Sequence, residues 1–267
     1  MSSIDKIAGV LRSFGPDRAE LSVTDAAALL DLPKSTVSRL LKAMAEEGLL
    51  EQAAGSRRYR PGPLVVGLGR AGRGESRLID RLQAMLAEIV QLSGHTGYVS
   101  IRDGLEIFGV RMVPGWQDLR VARPAGTRMP AVATAVGRAL LARLPDAVLQ
   151  RLLPETVEPA SPAAPASRAE VLARIEQVRR QGWSEAEDEG HRGIGTIAVV
   201  VQDPTTGEAA SACITYPVAV VTGAERARMR GLLTEAAARL GAELGDPGWL
   251  KSPSPEPSPH VIRRRAS

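Results

Sequence analysis

Residues 21–63 constrain the fold of this chain more than any other stretch, because two short helical patterns follow each other there with almost no room for a loop. The segment reads LSVTDAAALLDLPKSTVSRLLKAMAEEGLLEQAAGSRRYRPGP. Thr24 stands where an N-cap is expected for the first helix, which should end near Asp31. Ser35 can cap the second helix, since its hydroxyl can accept from backbone N–H groups that otherwise lack partners. The spacing therefore predicts two helices joined by a tight turn.

The second of these helices is amphipathic. Val37, Leu40, Leu41 and Met44 recur at helical spacing and predict the stripe that packs on the core. The opposite face offers hydroxyl, ammonium and guanidinium groups, which can read base edges and phosphates in the DNA major groove. The predicted contacts to bases are Thr36, Ser38 and Arg39, and the predicted contacts to phosphates are Lys34, Ser35 and Lys42.

A β-hairpin rich in arginine should follow, with strands at 49–52 and 57–60 around a turn at 53–56. Because side chains alternate along a strand, Arg58 and Arg60 share one face and Arg57 lies on the other, and the sequence leaves open which face meets DNA. Residues 33–73 carry eight Lys or Arg against three Glu, although the whole chain has a net charge of only +4. This local excess suits phosphate contact and predicts a winged helix-turn-helix domain over residues 1–62 that binds a double-stranded DNA operator.

Composition narrows the remaining classes of protein. A hydrophobic fraction of 44% predicts globular domains rather than a disordered chain. The single cysteine, Cys213, excludes an intrachain disulfide framework and fits a reducing compartment. The first residues lack a secretory signal, and no run approaches the roughly 20 apolar residues needed to span a bilayer. We therefore expect a cytoplasmic protein with no membrane partner.

The remainder of the chain predicts a second domain of class α+β over residues 75–245, an antiparallel sheet flanked by helices. A glycine-rich linker at 63–74 should precede it, and a disordered basic Pro/Ser tail at 246–267 should follow it. The predicted helices are 75–93, 133–144, 146–153, 168–181 and 223–244. The predicted strands are 95–104, 105–113, 119–123, 194–203 and 208–217.

Taken in order, several short motifs resemble the IclR family of bacterial transcriptional regulators. They are Leu32-Pro33-Lys34-Ser35-Thr36, Glu47-Gly48-Leu49, Gly126-Thr127-Arg128-Met129-Pro130, the run Ala133–Ala142, Gly182-Trp183, Asp188-Glu189 and Ile197-Ala198. The resemblance implies a GAF-like C-terminal domain that binds a small-molecule effector, often an organic acid or an aromatic metabolite. It also implies homodimers, commonly paired into tetramers, and a regulator whose operator binding responds to ligand, more often a repressor than an activator.

The same resemblance implies an effector pocket, although this chain departs from the family at several positions. Thr196 stands where many members have cysteine, Cys213 and Thr215 stand where serines are common, and Ala186, with Glu187 beside it, stands where an acidic residue is common. The implied effector-binding residues are Met129, Ala135, Val136, Glu187, Thr196, Cys213 and Thr215. Ordinary core packing is an equal alternative for Val136 and Cys213. The pocket should carry less charge than in relatives.

Two other functions remain as alternatives. Residues 67–72 fit the G-x-G-x-x-G pattern of a dinucleotide-binding turn, but a helix is expected where the second strand should follow, so a nucleotide-binding enzyme is the weakest reading. An architectural DNA-binding protein without a sensing function is the other. The three histidines, His95, His191 and His260, are isolated, and no nucleophile has a recognisable base. We therefore predict no catalytic residue, no metal and no cofactor.

Overall fold

The computed structural model describes residues 2–15, 18–53, 55–73, 76–119, 121 and 126–250. The chain divides into two compact units, Met1–Ser76 and Arg77–Ser267. Each unit is built from local patterns that the sequence already contains, and each is described here by itself.

The first unit contains four helices and a two-stranded antiparallel sheet among its described residues. These elements are α1 (Ser3–Arg12), α2 (Val23–Leu30), α3 (Lys34–Glu46), β1 (Leu50–Gln52), β2 (Tyr59–Pro61) and α4 (Pro63–Arg73). Its core joins Val10 of α1, Ala26 of α2 and Val37 and Leu41 of α3. The backbone of Leu21 bonds in both directions to Tyr59, at 2.8 and 2.7 Å, and so ties β2 to the segment before α2. The structure confirms a helix-turn-helix followed by a hairpin.

The helix caps differ from those expected. Ser22, not Thr24, caps α2, because its hydroxyl accepts from the Asp25 N–H while the Asp25 carboxylate accepts from the Ser22 N–H. This reciprocal pair satisfies two donors at once, which a lone Thr24 could not do. Ser35 does not cap α3 either: Pro33 holds the N-cap position without a side-chain bond. Asp31 ends α2 in the left-handed region, at φ 51°.

Residues 63–73, within the predicted glycine-rich linker, form the helix α4. Gly67 and Gly69 lie inside this helix, and a Cβ atom added to either would meet nothing within 4 Å. Since the residues before Gly67 belong to the same helix, the strand that a dinucleotide-binding turn requires is not present there. The structure therefore gives no support to nucleotide binding at 67–72.

The second unit is built on one antiparallel six-stranded sheet in the order β5-β4-β3-β8-β7-β6. The strands are β3 (Thr96–Asp103), β4 (Glu106–Val113), β5 (Arg128–Pro130), β6 (Trp183–Glu187), β7 (Ile194–Gln202) and β8 (Ala209–Pro217). The helices are α5 (Arg77–Ser93), α6 (Ala135–Leu141), α7 (Asp146–Leu152), α8 (Arg168–Gln181), α9 (Gly223–Leu244) and α10 (Pro247–Leu250), and a short 3₁₀ turn covers Ala131–Ala133.

Both faces of this sheet are covered by helices, which confirms the α+β class. Val99 and Ile214 face α5 and α9 and belong to one apolar cluster, while their neighbours Tyr98 and Cys213 face α6 and belong to another. This division follows from the alternation of side chains along a strand. The cluster on the α6 side encloses the site described below.

Three parts of the second unit differ from the expectation. The strand after β4 is β5, not residues 119–123, of which 119 and 121 lie outside any strand and 120, 122 and 123 lie outside the described residues. Strand β6 was missed, because its sequence WSEAE is short and carries polar side chains at alternate positions. In the predicted tail, Pro247–Leu250 are helical, and residues 251–267 lie outside the described residues.

Within the described part of the chain, none of the helices combines the length and the apolar character needed to cross a membrane.

Candidate functional site

Helix α3 presents a polar face to solvent. Val37, Leu41 and Met44 are buried in the core of the first unit. The residues on the opposite side include five exposed ones and the half-buried Thr36; the exposed ones are Lys34, Ser35, Ser38, Arg39 and Lys42. Lys42 Nζ lies 3.9 Å from Glu46 Oε1 in a fully solvated pair, which contributes little. Lys34 and Arg39 make no ion pair with another described residue.

The three arginines of the hairpin are not equivalent. Arg58 Nη2 lies 2.8 Å from Asp25 Oδ2, and Arg60 Nε lies 2.7 Å from Glu51 Oε1. The bonds from Ser22, followed by the Arg58 guanidinium, hold the pKa of Asp25 below its ordinary value. Arg57 is exposed and has no ion pair with another described residue. Strand β2 begins at Tyr59 and not at residue 57 as predicted, so Arg57 lies in the bend before it and is the hairpin arginine without a carboxylate partner among the described residues.

The second unit contains a cavity of about 90 Å³ on the α6 side of the sheet. Six of the seven residues that the family resemblance implied line it together: Met129 from β5, Ala135 and Val136 from α6, Thr196 from β7, and Cys213 and Thr215 from β8. The register explains this convergence, since Thr196 lies directly opposite Thr215, and Cys213 lies between Tyr98 and Ala198. Residues far apart in the chain are thus brought to one face.

Glu187, the seventh residue, does not line this cavity. Its carboxylate accepts from the Tyr216 hydroxyl at 3.0 Å and lies 2.5 Å from Arg226 Nη1. Burial, followed by the carboxylates of Glu185 and Glu187, raises the pKa of Tyr216 and keeps it a hydrogen-bond donor. Because adjacent strand residues point to opposite faces, Ala186 lines the cavity in its place.

The polar groups of the cavity wall differ in their partners. Thr134 Oγ1 accepts from the Gly137 N–H at 3.0 Å as the N-cap of α6, and Thr215 Oγ1 donates to the Thr96 carbonyl at 3.1 Å. The hydroxyls of Ser100 and Thr196 make no hydrogen bond with another described residue. Burial raises the pKa of the Cys213 thiol to about 12, so the thiol stays protonated at neutral pH. Among the described lining residues there is no Arg, Lys, Asp or Glu.

The lining residues that sequence reasoning missed include Tyr98, Ser100, Ile107, Gly109, Thr134, Gly190 and His191. A signal was available for two of them. Tyr98 and Ser100 stand two positions apart in β3, so both face the same side. His191 lies at the exposed edge of the cavity, His95 is buried 6.4 Å from the Tyr216 ring, and His260 lies outside the described residues.

A largely buried cluster of charged side chains, Arg138, Arg174 and Glu189, lies next to the cavity wall. Glu189 Oε2 lies 2.5 Å from Arg138 Nη1, and its other oxygen lies 2.6 Å from Arg174 Nη1. Arg138 is 1% exposed and also donates to the Glu185 carbonyl at 2.9 Å. Since Gly190 follows Glu189 directly, these bonds connect the cavity wall to α6 and α8.

Comparison with known proteins gives the family. The chain belongs to the IclR family of bacterial transcriptional regulators: the IclR helix-turn-helix domain matches residues 3–54, and the C-terminal domain of bacterial transcriptional regulator IclR matches residues 74–242. The protein is accordingly an IclR-type DNA-binding transcriptional regulator with a ligand-binding C-terminal domain.

Individual relatives agree with this assignment. The regulator XynR of Escherichia coli is 29% identical over 248 residues, which cover 92% of this chain and 98% of that protein. An IclR-type structure from Silicibacter shares the fold with a TM-score of 0.80 at 22% identity, covering 96% and 98% of the two chains. An IclR homologue from Microbacterium hydrocarbonoxydans, solved with 4-hydroxybenzoate, has a TM-score of 0.73 at 20% identity, covering 91% and 99%.

Proposed function

We propose that this regulator binds a pseudo-palindromic operator as a homodimer and represses transcription until a small-molecule effector changes its affinity for DNA. The observation that carries the proposal is the solvated face of α3, where Lys34 and Arg39 are exposed and make no ion pair with another described residue. In a helix-turn-helix dimer, two such helices enter successive major grooves, about 34–36 Å apart. Repression needs only occupancy of the operator, whereas activation also needs a contact to polymerase.

The dimer is supported by the surface of α4. Leu64 and Leu68, one turn apart on the same face of α4, are 45% and 60% exposed, and a second copy of the chain would cover this apolar surface. Pairing of such dimers into tetramers is the extension that the family suggests. We assign DNA binding to residues 1–62, the connection to 63–74 and effector binding to 75–245.

The effector site in this proposal is the α6-side cavity, with Met129, Ala135, Val136, Thr196 and Thr215 in its wall. The family suggests an organic acid or an aromatic metabolite as the effector, and the absence of Arg and Lys from the described lining residues favours the second class. A ligand shifts operator binding only by its differential affinity for the two conformations, typically about 1–3 kcal/mol. The relatives are regulators rather than enzymes, so we propose no catalytic role, and action on bacterial DNA implies a cytoplasmic location.

Selection from a random duplex library at near-physiological salt tests DNA recognition by the purified chain. We expect enrichment of an inverted repeat. Arg39→Ala should weaken binding to that repeat by about 1–3 kcal/mol. Arg12→Ala is the matched control, because Arg12 is an exposed arginine at the end of α1 and its loss changes the net charge equally. Equal losses in the two variants would contradict the role given to α3.

The competing function, an architectural DNA binder, makes a different prediction. It should show no thermal stabilisation by any metabolite, whereas a true effector at a hundredfold above its Kd should stabilise the folded protein by about 2.7 kcal/mol. Release of the operator by that same metabolite would establish regulation.

A further inference from the structure

Two hydroxyl groups in the α6-side cavity make no hydrogen bond with any residue that the structure describes. Ser100 is 4% exposed, and its hydroxyl makes no hydrogen bond with another described residue. Thr196 is half-buried, and its hydroxyl likewise makes no hydrogen bond with another described residue. Other hydroxyls of the wall are used within the fold, as the bond from Thr215 to the Thr96 carbonyl illustrates. Since buried polar groups in native proteins are nearly always paired, the buried hydroxyl of Ser100 should meet a ligand, and the half-buried hydroxyl of Thr196 is available to meet the same ligand.

The sheet register separates these two hydroxyls. Ser100 lies opposite Ser211 on β8, whereas Thr196 lies opposite Thr215, four residues further along the same strand. At 3.3 Å per residue this offset is about 13 Å along the strand direction. Ser100 and Thr196 also lie on the two strands that flank β8, so we place them toward opposite ends of the cavity, with the apolar side chains of Ile107 and Val136 among its walls.

The charge of the wall restricts what can bind. A carboxylate that enters a largely apolar cavity loses its hydration and needs charge-assisted donors in exchange. The described lining residues provide no Arg or Lys side chain for that purpose, and the imidazole of His191 lies at the exposed edge, away from the buried Ser100. A hydroxyl can both donate and accept, so it suits a carbonyl, an amide or another hydroxyl equally well.

We propose that the effector is an uncharged, elongated molecule with a hydrogen-bonding group at each end, and that Ser100 and Thr196 determine this specificity. This inference rests on the proposed function, since it takes the cavity as the effector site. A single ring with polar groups in para positions, or a short chain with an amide at each end, has the required shape. Ser100 would bind one end and Thr196 the other.

Matched probes test the charge requirement on the full-length chain. The pairs are 4-hydroxybenzamide with 4-hydroxybenzoate, and adipamide with adipate, each pair alike in shape and different in charge. Thermal unfolding and calorimetric titration should show that at least one amide binds and raises the Tm, and that its carboxylate partner binds at least about tenfold more weakly, as expected for a buried charge without a charged partner.

Variants test the two ends of the cavity. Ser100→Ala and Thr196→Val should each weaken binding of the amide by about 3- to 10-fold, the effect of one neutral hydrogen bond. Gly109→Ala should also weaken it, because the added Cβ would lie 3.9 Å from Ser100 Oγ, inside the cavity but without a clash. Ser211→Ala is the control on the neighbouring strand: its hydroxyl donates to the Val199 carbonyl at 2.7 Å and does not line the cavity.

Stability without ligand provides a second readout. Ser100→Ala should leave the Tm of the ligand-free protein nearly unchanged, since it removes no protein hydrogen bond, whereas Thr215→Val should lower it. If Ser100→Ala also lowers that Tm markedly, its hydroxyl is structural and the proposal fails.

The outcomes separate this inference from the proposed function. Equal or tighter binding of the carboxylates would overturn the uncharged class and leave the effector site standing. Binding of an amide that is insensitive to Ser100→Ala and Thr196→Val would overturn the roles of these residues. If none of the four probes binds, this specificity is wrong, and release of the operator by other metabolites then decides separately whether the protein senses a ligand.

Discussion

Replacing Arg57 by glutamine removes the one arginine of the β1–β2 hairpin that has no ion pair with another described residue. If Arg57 contacts a phosphate, its loss should reduce the salt dependence of operator binding. Each phosphate contact contributes about 0.9 to the slope of log K against log salt. In the proposed dimer two copies of Arg57 are lost, so the slope should fall by about 1.8, which amounts to roughly 60-fold weaker binding at 0.1 M salt and almost no change near 1 M.

Fluorescence anisotropy with the selected operator, at four or five salt concentrations, measures this slope directly. The control is the double variant Glu51→Gln/Arg60→Gln, which removes the neighbouring ion pair while keeping the net charge. Both of its side chains are about half exposed, and the pair is worth at most about 1 kcal/mol to stability. The slope of this control should match that of the wild type.

An unchanged slope for Arg57→Gln, together with a reduced slope for the control, would refute the reasoning. Such a result would mean that the face with Arg58 and Arg60 meets DNA and that Arg60 exchanges its carboxylate partner for a phosphate on binding.

Three further predictions concern stability and reactivity. Arg138→Met should destabilise the protein by about 3–5 kcal/mol in urea unfolding, because it leaves the Glu189 carboxylate buried beside fewer cations. The double variant Arg138→Met/Glu189→Met should recover much of this lost stability. A double variant less stable than Arg138→Met would contradict this reasoning. Gly67→Ala and Gly69→Ala should each stabilise α4 by up to about 1 kcal/mol, since neither added Cβ would meet another atom within 4 Å. The gain should be measured as slower amide hydrogen exchange in α4, and faster exchange would count against a regular helix there. At pH 8, well below the pKa of about 12, Cys213 should react with a disulfide reagent only after denaturation; equally fast labelling of the native protein would show that the thiol is accessible.

The sequence predicted best where the deciding information is local. The bounds of α8 and α9 follow from apolar periodicity and capping residues within a few positions, and both agree with the prediction. The exposed polar face of α3 follows in the same way, because the spacing of its apolar residues shows which side of the helix is buried. Local signals failed where two candidates compete a few residues apart: at α2 the reciprocal bond to Asp25 favours Ser22 over Thr24 as the cap.

The cavity was accessible to sequence reasoning only through family resemblance. Residue types alone do not bring Met129 next to Thr196, because their separation in the chain is bridged by strand pairing. The error at Glu187 shows the limit of such transfer, since a shift of one residue along a strand reverses the face to which a side chain points. Ser100 was missed although its spacing from Tyr98 puts both on one face of β3, because nothing in the local sequence shows that this face lines a cavity.

The sequence by itself thus determined the helices, the turn, the basic reading helix and the α+β class, because each depends on periodicity and chemistry within a short window. Only the tertiary structure decided how the hairpin cations are paired: Arg58 and Arg60 contact carboxylates, and Arg57 has no ion pair with another described residue. It also decided that Ser100 and Thr196 share one cavity. The physical reason is that hydrogen-bond and ion-pair partners are set by strand register and by packing between segments distant in the chain, which no local pattern records.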